Sequence, residues 1–131
     1  MEKENIIYEG FFLHDTDVKG TLVKDVLHKH ITTEFRPVNT HKHLYGAYAS
    51  FTVTGYGNDG ENEGYSVEMV ECDNEELLDI YKNIKIPHVT LSTGKKGKPV
   101  DTANLEFTEC QPLYITGRFG GFTGGGEVVY E

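Results

Sequence analysis

The sequence His30-Ile31-Thr32 opens a stretch of β-branched and aromatic residues that ends at Phe35, and His88-Val89-Thr90 opens a second such stretch. These residue types favour a β-strand, in which successive side chains point to opposite faces. Each stretch is therefore predicted to present an imidazole and a hydroxyl on one face, while its central aliphatic residue points into a core. The two histidines lie 58 positions apart (88 − 30), and each motif is predicted to follow a helix. This order indicates a pseudo-duplicated architecture with two lobes around a central cleft.

The rest of the chain is predicted from apolar periodicity and from turn residues. Strands are expected at 6–13, 30–35, 44–54, 65–72, 105–109, 112–118 and 127–131. A short helix, capped at 15–17 and weakened by Gly20, is expected from the spacing of Val18, Leu22, Val23, Val26 and Leu27. A second helix, capped and acidic at 73–76, is expected from the stripe of Leu77, Leu78, Ile80, Tyr81 and Ile84, and Pro87 ends it. Residues 55–64 are predicted to form a mobile hairpin loop and residues 117–126 a flexible turn or loop.

Length and composition limit the classes of protein to consider. The 131 residues fit one domain, 1–131, with 37% hydrophobic and 25% charged residues, as is usual for a globular protein. No stretch approaches the length of a membrane span, and the first residues lack the apolar segment of a secretion signal. A cytoplasmic protein without membrane partners is therefore expected, with Cys72 and Cys110 as free thiols.

The net charge of −9 disfavours binding along a nucleic-acid duplex, which depends on many lysines and arginines. A small nucleotide or a single RNA 3′ end remains compatible, because one phosphate needs only a local positive patch. The one concentrated basic segment is 95–98, shortly after the second motif.

Two imidazoles and two hydroxyls in one cleft suit the cleavage of a phosphodiester. One histidine of the pair His30 and His88 would take a proton from the attacking water or hydroxyl, and the other would give a proton to the leaving oxygen. Thr32 and Thr90 would donate hydrogen bonds to the non-bridging phosphate oxygens. This chemistry needs no metal and no cofactor.

A metal site is the weaker alternative. His28-x-His30 and His41-x-His43 place four imidazoles within a short span, but no cysteine or carboxylate pattern completes a familiar site. His28 is expected at a helix end, and His41 and His43 in a solvated loop. The phosphate-loop pattern Gly-x-x-x-x-Gly-Lys-[Ser/Thr] is not met by residues 94–99, so a nucleoside triphosphatase is unsupported.

Four further residues are candidates for substrate binding. Lys95 and Lys98 would hold an outer phosphate or ribose, although a solvated turn explains them equally well. Tyr8 would stack on a base, although aromatic residues in strands usually belong to the core. Arg118 would clamp a phosphate, although a lone arginine near a turn is more often a surface charge.

The two motifs, with the residues around them, resemble the 2H phosphoesterase superfamily. The stretch His30-Ile-Thr-Thr-Glu-Phe-Arg-Pro37 is similar to the first motif of that family, and Pro87-His-Val-Thr-Leu-Ser92 is similar to its second. The segment 98–105 is similar to the one that follows the second motif in the RNA-repair and phage branches, which include enzymes that destroy cyclic-nucleotide immune signals. The resemblance covers residues 6–107.

The resemblance implies an α+β bilobal fold, with two antiparallel β-sheets that line a central cleft and helices that flank them. It also implies metal-independent hydrolysis of a 2′,3′-cyclic phosphate, a 2′-5′ linkage or a cyclic oligonucleotide, with His30 and His88 as acid and base in either order. A compact substrate is expected because the chain is short. Two other functions remain: a protein that binds and sequesters a nucleotide without turnover, and an interaction module in which the motifs are accidental. The oligomeric state is left open.

Overall fold

A computed structural model of the chain describes residues 5–14, 20–26 and 29–131. The strands in these residues are β1 Ile6–Leu13, β2 Lys24–Asp25, β3 His30–Phe35, β4 Tyr48–Asn58, β5 Asn62–Cys72, β6 His88–Thr93, β7 Thr108–Thr123 and β8 Val128–Val129. One α-helix, α1, spans Glu75–Lys82, and two 3₁₀ helices span Lys42–Leu44 and Pro99–Asn104. The predicted bounds of β1 and β3 are confirmed. Within the described ranges, every helix is too short or too polar to cross a bilayer.

The strands form one antiparallel sheet. Its order is β2-β6-β5-β4-β7-β1-β3, and β8 pairs with β7. The described strands thus make one sheet instead of the two that were predicted, because β4 and β7 pair at its centre. The protein is an α+β protein in which the sheet dominates.

The sheet curls until its two ends lie next to each other. β2 pairs with β6 at one end of the strand order and β3 pairs with β1 at the other, yet only residues 26–29 separate β2 from β3. Four residues span at most about 14 Å, so the two ends must be close. Accordingly, Cα atoms of β3 and β6 approach within 8 Å.

The core fills the inside of this curl. Its buried members come from six strands, from α1 and from the first 3₁₀ helix: Phe11, Ile31, Leu44, Ala49, Phe51, Val53, Val67, Leu77, Val89, Leu91, Ile115 and Phe119. Because one contacting cluster contains residues of both β3 and β6, which approach each other where the sheet curls, the face of the sheet that carries it is the inner face. The alternate side chains lie on the outer face.

The helix α1 begins where it was predicted, for the predicted reason, but it ends at Lys82, before Ile84 and Pro87. The side chain of Asn74 caps it by accepting a hydrogen bond from the backbone N–H of Leu77 at 2.9 Å. Glu75 and Glu76 occupy its first turn, where carboxylates are favoured by the helix dipole. Leu77 is fully buried and anchors the helix to the core.

The helix predicted from Val18 to Leu27 is wrong for residues 20–26, which form a bend and the short strand β2. Residues 15–19 and 27–28 lie outside the described part of the chain. Pairing with β6 and side-chain hydrogen bonds replace the helical ones here. The backbone N–H of Thr21 donates to Glu63, and that of Leu22 donates to Ser92.

Both glycine-rich loops were predicted too long, because strands contain most of the residues of each. The hairpin loop expected at 55–64 is a turn of residues 59–61 between β4 and β5, and β4 itself begins at Tyr48 after the 3₁₀ helix. The single strand β7 takes in residues 108–123, which include most of the strands expected at 105–109 and 112–118 and of the loop expected at 117–126. Residues 124–126 form a turn, as predicted. Its glycines allow close packing: a Cβ on Gly117 would lie 2.9 Å from the Cβ of Phe11, and one on Gly121 would lie 2.6 Å from the Tyr45 hydroxyl.

Candidate active site

The two His-x-Thr motifs occupy equivalent places at the two ends of the sheet. Ile31 and Val89 are fully buried in the same core cluster. Since neighbouring residues of a strand point to opposite faces, the histidine and the threonine of each motif lie on the outer face. β3 and β6 are also the strands that approach each other where the curl closes. We call the line along which β3 and β6 approach each other the seam. Both motifs therefore lie beside the seam.

Each motif strand is paired in the same way with a strand that carries the sequence Glu-Gly-aromatic. In both pairs the glycine lies opposite the motif threonine and the glutamate lies opposite the residue four positions after the histidine, with a β-bulge between them. The pairs are Gly10 with Thr32 and Glu9 with Glu34 in one half, and Gly64 with Thr90 and Glu63 with Ser92 in the other. The bulge brings each glycine against the middle of the motif. A Cβ atom added to Gly10 would lie 2.4 Å from the carbonyl oxygen of Ile31, and one added to Gly64 would lie 2.5 Å from that of Val89.

The duplication extends to a third strand in each half. Phe119-Gly120 of β7 lies opposite Phe11 and Gly10, and Tyr56-Gly57 of β4 lies opposite Tyr65 and Gly64. One half of the sheet is therefore β3, β1 and β7, and the other is β6, β5 and β4. In chain order the units are β1-β3-β4 and β5-β6-β7, so the units exchange their third strands. The duplication therefore lies in the strands. The repeated order of helix and motif strand, on which the prediction rested, is not found, because residues 20–26 form a bend and β2 instead of a helix.

The buried glutamates hold the loops beside the motifs, and sequence analysis missed them. Glu63 accepts hydrogen bonds from Thr21, Tyr56 and Ser92. Burial alone would raise the pKa of Glu63, but the hydrogen bonds from Tyr56, Ser92 and Thr21 lower it below its ordinary value. Glu9 is fully buried and accepts hydrogen bonds from His41 and Tyr45. The repeated tripeptides at 9–11 and 63–65 were the available signal.

His30 lies against two aromatic rings on the outer face. The ring of Tyr8 stacks on it with centroids 4.5 Å apart, and the Tyr8 hydroxyl lies 3.5 Å from Nδ1. The ring of Phe12 lies 5.5 Å away. Burial raises the pKa of Tyr8 to about 12, so its phenol stays protonated at neutral pH. Tyr8, predicted to bind substrate, contacts the first histidine directly.

His88 is held by its own backbone neighbourhood. Its Nδ1 lies 2.8 Å from the carbonyl oxygen of Ile86. A carbonyl oxygen only accepts, so Nδ1 carries the hydrogen and Nε2 has the lone pair in the neutral ring. The ring is thereby fixed in the tautomer that can take up a proton at Nε2.

The two motif threonines differ in their surroundings. Thr32 is half-buried opposite Gly10. Thr90 is 6% exposed, and its hydroxyl lies 2.8 Å from that of Thr102 and 3.1 Å from the carbonyl oxygen of Pro99. The 3₁₀ helix Pro99–Asn104 thus covers the second threonine.

The predicted phosphate-binding lysines lie in a turn that packs on the hairpin tip. Lys95 and Lys98 are exposed. The backbone N–H of Lys96 donates to the carboxylate of Glu61 at 3.0 Å, and that of Gly94 donates to the Glu61 carbonyl at 2.8 Å. The basic turn and the acidic tip at 59–61 are therefore neighbours.

Arg118 lies in β7, on the face that carries His30. Its pairing partner on β1 is Phe12, which in turn pairs with His30. Directly paired residues of antiparallel strands share a face. Of the four predicted binding residues, Tyr8 and Arg118 therefore lie on the half of the outer face that carries the first motif.

Two of the four histidines that suggested a metal alternative, His41 and His43, are engaged with carboxylates. His41 Nδ1 lies 2.8 Å from Glu9, and His43 Nε2 lies 2.8 Å from Glu76. Donor atoms of Glu9, Glu34 and His41 lie within 4.8 Å of one another. His28 lies outside the described residues. These contacts make ion pairs when the histidines are protonated.

A scan against protein-family models and a search of curated proteins find no match to this chain.

Proposed function

We propose that this protein is a metal-independent phosphodiesterase of the 2H type, which hydrolyses a cyclic nucleotide, a cyclic oligonucleotide or a 2′,3′-cyclic phosphate at an RNA end. The observation that carries the proposal is the duplicated frame around the motifs: two His-x-Thr strands with matched partners, on one face and at one seam. Each half of the sheet would correspond to one lobe of the bilobal family fold, with the seam as its cleft. The free thiols of Cys72 and Cys110 agree with a reducing compartment such as the cytosol.

The tautomer of His88 supports a division of roles. His88 would accept a proton from water at Nε2 as the water oxygen forms a bond to phosphorus. The bond from phosphorus to the leaving oxygen breaks, and protonated His30 would give that oxygen its proton. Thr32 would donate a hydrogen bond to a non-bridging oxygen, where negative charge develops. Thr90 would join it only if the 3₁₀ helix Pro99–Asn104 moved away.

The test is hydrolysis in EDTA of cyclic dinucleotides and trinucleotides, 2′-5′ oligoadenylate and RNA with a 2′,3′-cyclic phosphate, with products resolved by mass. We expect cleavage of at least one substrate, and we expect His30→Ala and His88→Ala each to lower kcat/KM by about 10²-fold or more, since each removes a proton-transfer group. His43→Ala is the matched control, because its imidazole is exposed and is hydrogen-bonded to the carboxylate of Glu76, away from both motifs in the sequence.

Full activity in either active-site variant would refute the mechanism. A ligand that binds tightly and is recovered unmodified after denaturation would favour a sequestering protein instead. If none of the nucleotides raises the Tm, the interaction module is the better explanation.

A further inference from the structure

A row of side chains leads away from His30 across the outer face. His30 pairs with Phe12, Phe12 pairs with Arg118, and Arg118 pairs with Tyr48, on β3, β1, β7 and β4 in turn. Directly opposed residues of antiparallel strands lie on the same face. Neighbouring strands are about 4.8 Å apart, so the row extends over roughly 14 Å.

Arg118 is held between two tyrosine rings. Its guanidinium carbon lies 5.6 Å from the ring centroid of Tyr48 and 4.3 Å from that of Tyr130, within the range of cation–π contact. Its Nε donates to the carbonyl oxygen of Gly46 at 3.3 Å. The ring of Tyr130 also meets that of Phe12 edge-on. The guanidinium is thus fixed in place and forms one surface with the two tyrosine rings, whereas the neighbouring ring of Phe12 is buried.

The equivalent surface of the other half is built differently. The counterparts of Phe12 and Arg118 are Ser66 and Gly55, which pair with each other. The segment that follows β6 lies on this face. A Cβ atom added to Gly55 would lie 3.1 Å from the side chain of Phe107, and one added to Gly64 would lie 2.4 Å from the side chain of Thr102. The two halves are therefore alike at the motifs and unlike beside them: Phe12 and Arg118 in the half with His30 correspond to Ser66 and Gly55, which supply neither a ring nor a cation.

This surface is accessible. The side chain of Tyr48 is 45% exposed, and a cavity of about 380 Å³ is lined by Arg118, Val129, Tyr130 and Glu131, within the size range of small-molecule sites. We propose that Tyr48, Arg118 and Tyr130 form a stacking subsite for a single-stranded oligonucleotide whose terminal phosphate lies at His30. This inference rests on the proposed function, and it specifies an oligonucleotide as the substrate class where sequence analysis expected a compact one.

The chemistry of the row fits this ligand. Every nucleobase has a face that stacks on a tyrosine ring or a guanidinium, and Arg118 supplies one positive charge for a backbone phosphate. A chain with a net charge of −9 has little attraction for a long nucleic acid, but a short single strand depends on stacking more than on charge.

The test is calorimetric titration of His88→Ala protein, which prevents turnover, with adenosine 3′-phosphate and with tetraadenylate 3′-phosphate at one salt concentration. We expect the tetranucleotide to bind at least tenfold more tightly, because each stacked base contributes about this factor or more. Adding Tyr48→Ala should remove about tenfold of that gain, whereas Tyr48→Phe should retain it. Tyr114→Ala is the matched control, because Tyr114 is an exposed tyrosine of β7 opposite Thr52.

Equal affinity for the two ligands would overturn the subsite, and so would equal losses in Tyr48→Ala and Tyr114→Ala. Sedimentation of the same proteins tests a second copy as the occupant, and a dimer that Tyr48→Ala dissociates would also overturn it. If no nucleotide is cleaved by the otherwise unaltered protein but the length-dependent gain is present, the subsite stands and the phosphodiesterase proposal fails.

Discussion

Glu63 shows how a single side chain links distant parts of this chain. It is 1% exposed, yet hydrogen bonds from Thr21, Tyr56 and Ser92 satisfy its carboxylate. A buried carboxylate without such partners would be costly. Its position beside the bulge means that these bonds fix the segment before β2 relative to β4, β5 and β6.

We expect Glu63→Gln to lower the free energy of unfolding by about 1–3 kcal/mol at pH 7, because a neutral amide accepts fewer and weaker hydrogen bonds. The pKa of Glu63 is lowered in the folded state, so its ionisation stabilises the fold above the pKa of the unfolded chain, and this contribution is lost as the pH falls through the folded pKa. The difference from the unaltered protein should therefore shrink below about pH 4. Urea unfolding at several pH values measures this, with Glu68→Gln, an exposed residue of the same strand, as control. A difference that grows on acidification would contradict the assignment.

The two motif threonines should respond differently to the loss of the hydroxyl. Thr90→Val should lower stability by about 1 kcal/mol, because Thr102 and the Pro99 carbonyl lose a partner. Thr32→Val should leave stability nearly unchanged and lower kcat/KM by about 10²-fold, since it removes a hydrogen bond to the phosphate. Urea unfolding and hydrolysis rates separate the two effects, with Thr52→Val on the same face as control. An unchanged rate in Thr32→Val would remove this residue from the mechanism.

Among the elements, the paired strands with a Glu-Gly bulge determine where the motifs lie. The bulge brings Gly10 and Gly64 against the carbonyl oxygens of Ile31 and Val89. A backbone atom cannot rotate away as the end of a side chain can, so these glycines are required for close approach and not for flexibility.

Gly64→Ala should therefore lower the free energy of unfolding by about 1–3 kcal/mol, the usual cost of overpacking. Gly124→Ala is the matched control: its Cβ would meet only the tip of Ile7 at 3.7 Å, and we expect a change within about 0.5 kcal/mol. Chemical denaturation of the two variants provides the comparison. Equal stabilities would mean that the bulge can adjust and is not a fixed feature.

The elements show which parts of the structure were predictable. The β-branched and aromatic residues of β1, the alternation in β3 and the cap and apolar stripe of α1 are local signals. β1 and β3 and the start of α1 formed as expected. The glycines of 55–64 and 117–126 have the composition of loops, and only contacts with distant residues, such as Tyr45 against Gly121, make them parts of strands. The same holds for residues 20–26, whose hydrogen bonds go to Glu63 and Ser92 far along the chain.

At the scale of the whole molecule, the two units are interleaved. Each unit supplies the third strand of the other half, and β4 and β7 also pair with each other. Both motifs lie on one face of the sheet because side chains alternate between the two faces along each strand. The sequence indicates this alternation. Their approach at one seam depends on the curl of the entire sheet, which no local pattern encodes.

We expect the protein to unfold in one cooperative transition, because neither half keeps its strand pairing when the other is lost. Urea curves from far-ultraviolet circular dichroism and from tyrosine fluorescence should coincide, and a fragment of residues 1–58 should not fold alone. Two separated transitions would show that the halves are independent. Refolding should be slow for this size, in milliseconds to seconds, because most strand pairs join distant residues.

The exchange of third strands is the arrangement expected if the chain arose by fusion of two copies of one unit. Two separate copies of a unit of about sixty residues, each lending its last strand to its partner, would form a domain-swapped homodimer with this same sheet. The turn at 59–61 is the place where one copy would have been fused to the next. After such a fusion the two halves of the sheet were free to diverge, and here one half carries a covering segment while the other carries Arg118 and its tyrosine rings. A symmetric ancestor would thereby have become a protein whose two halves present different surfaces beside the same motif.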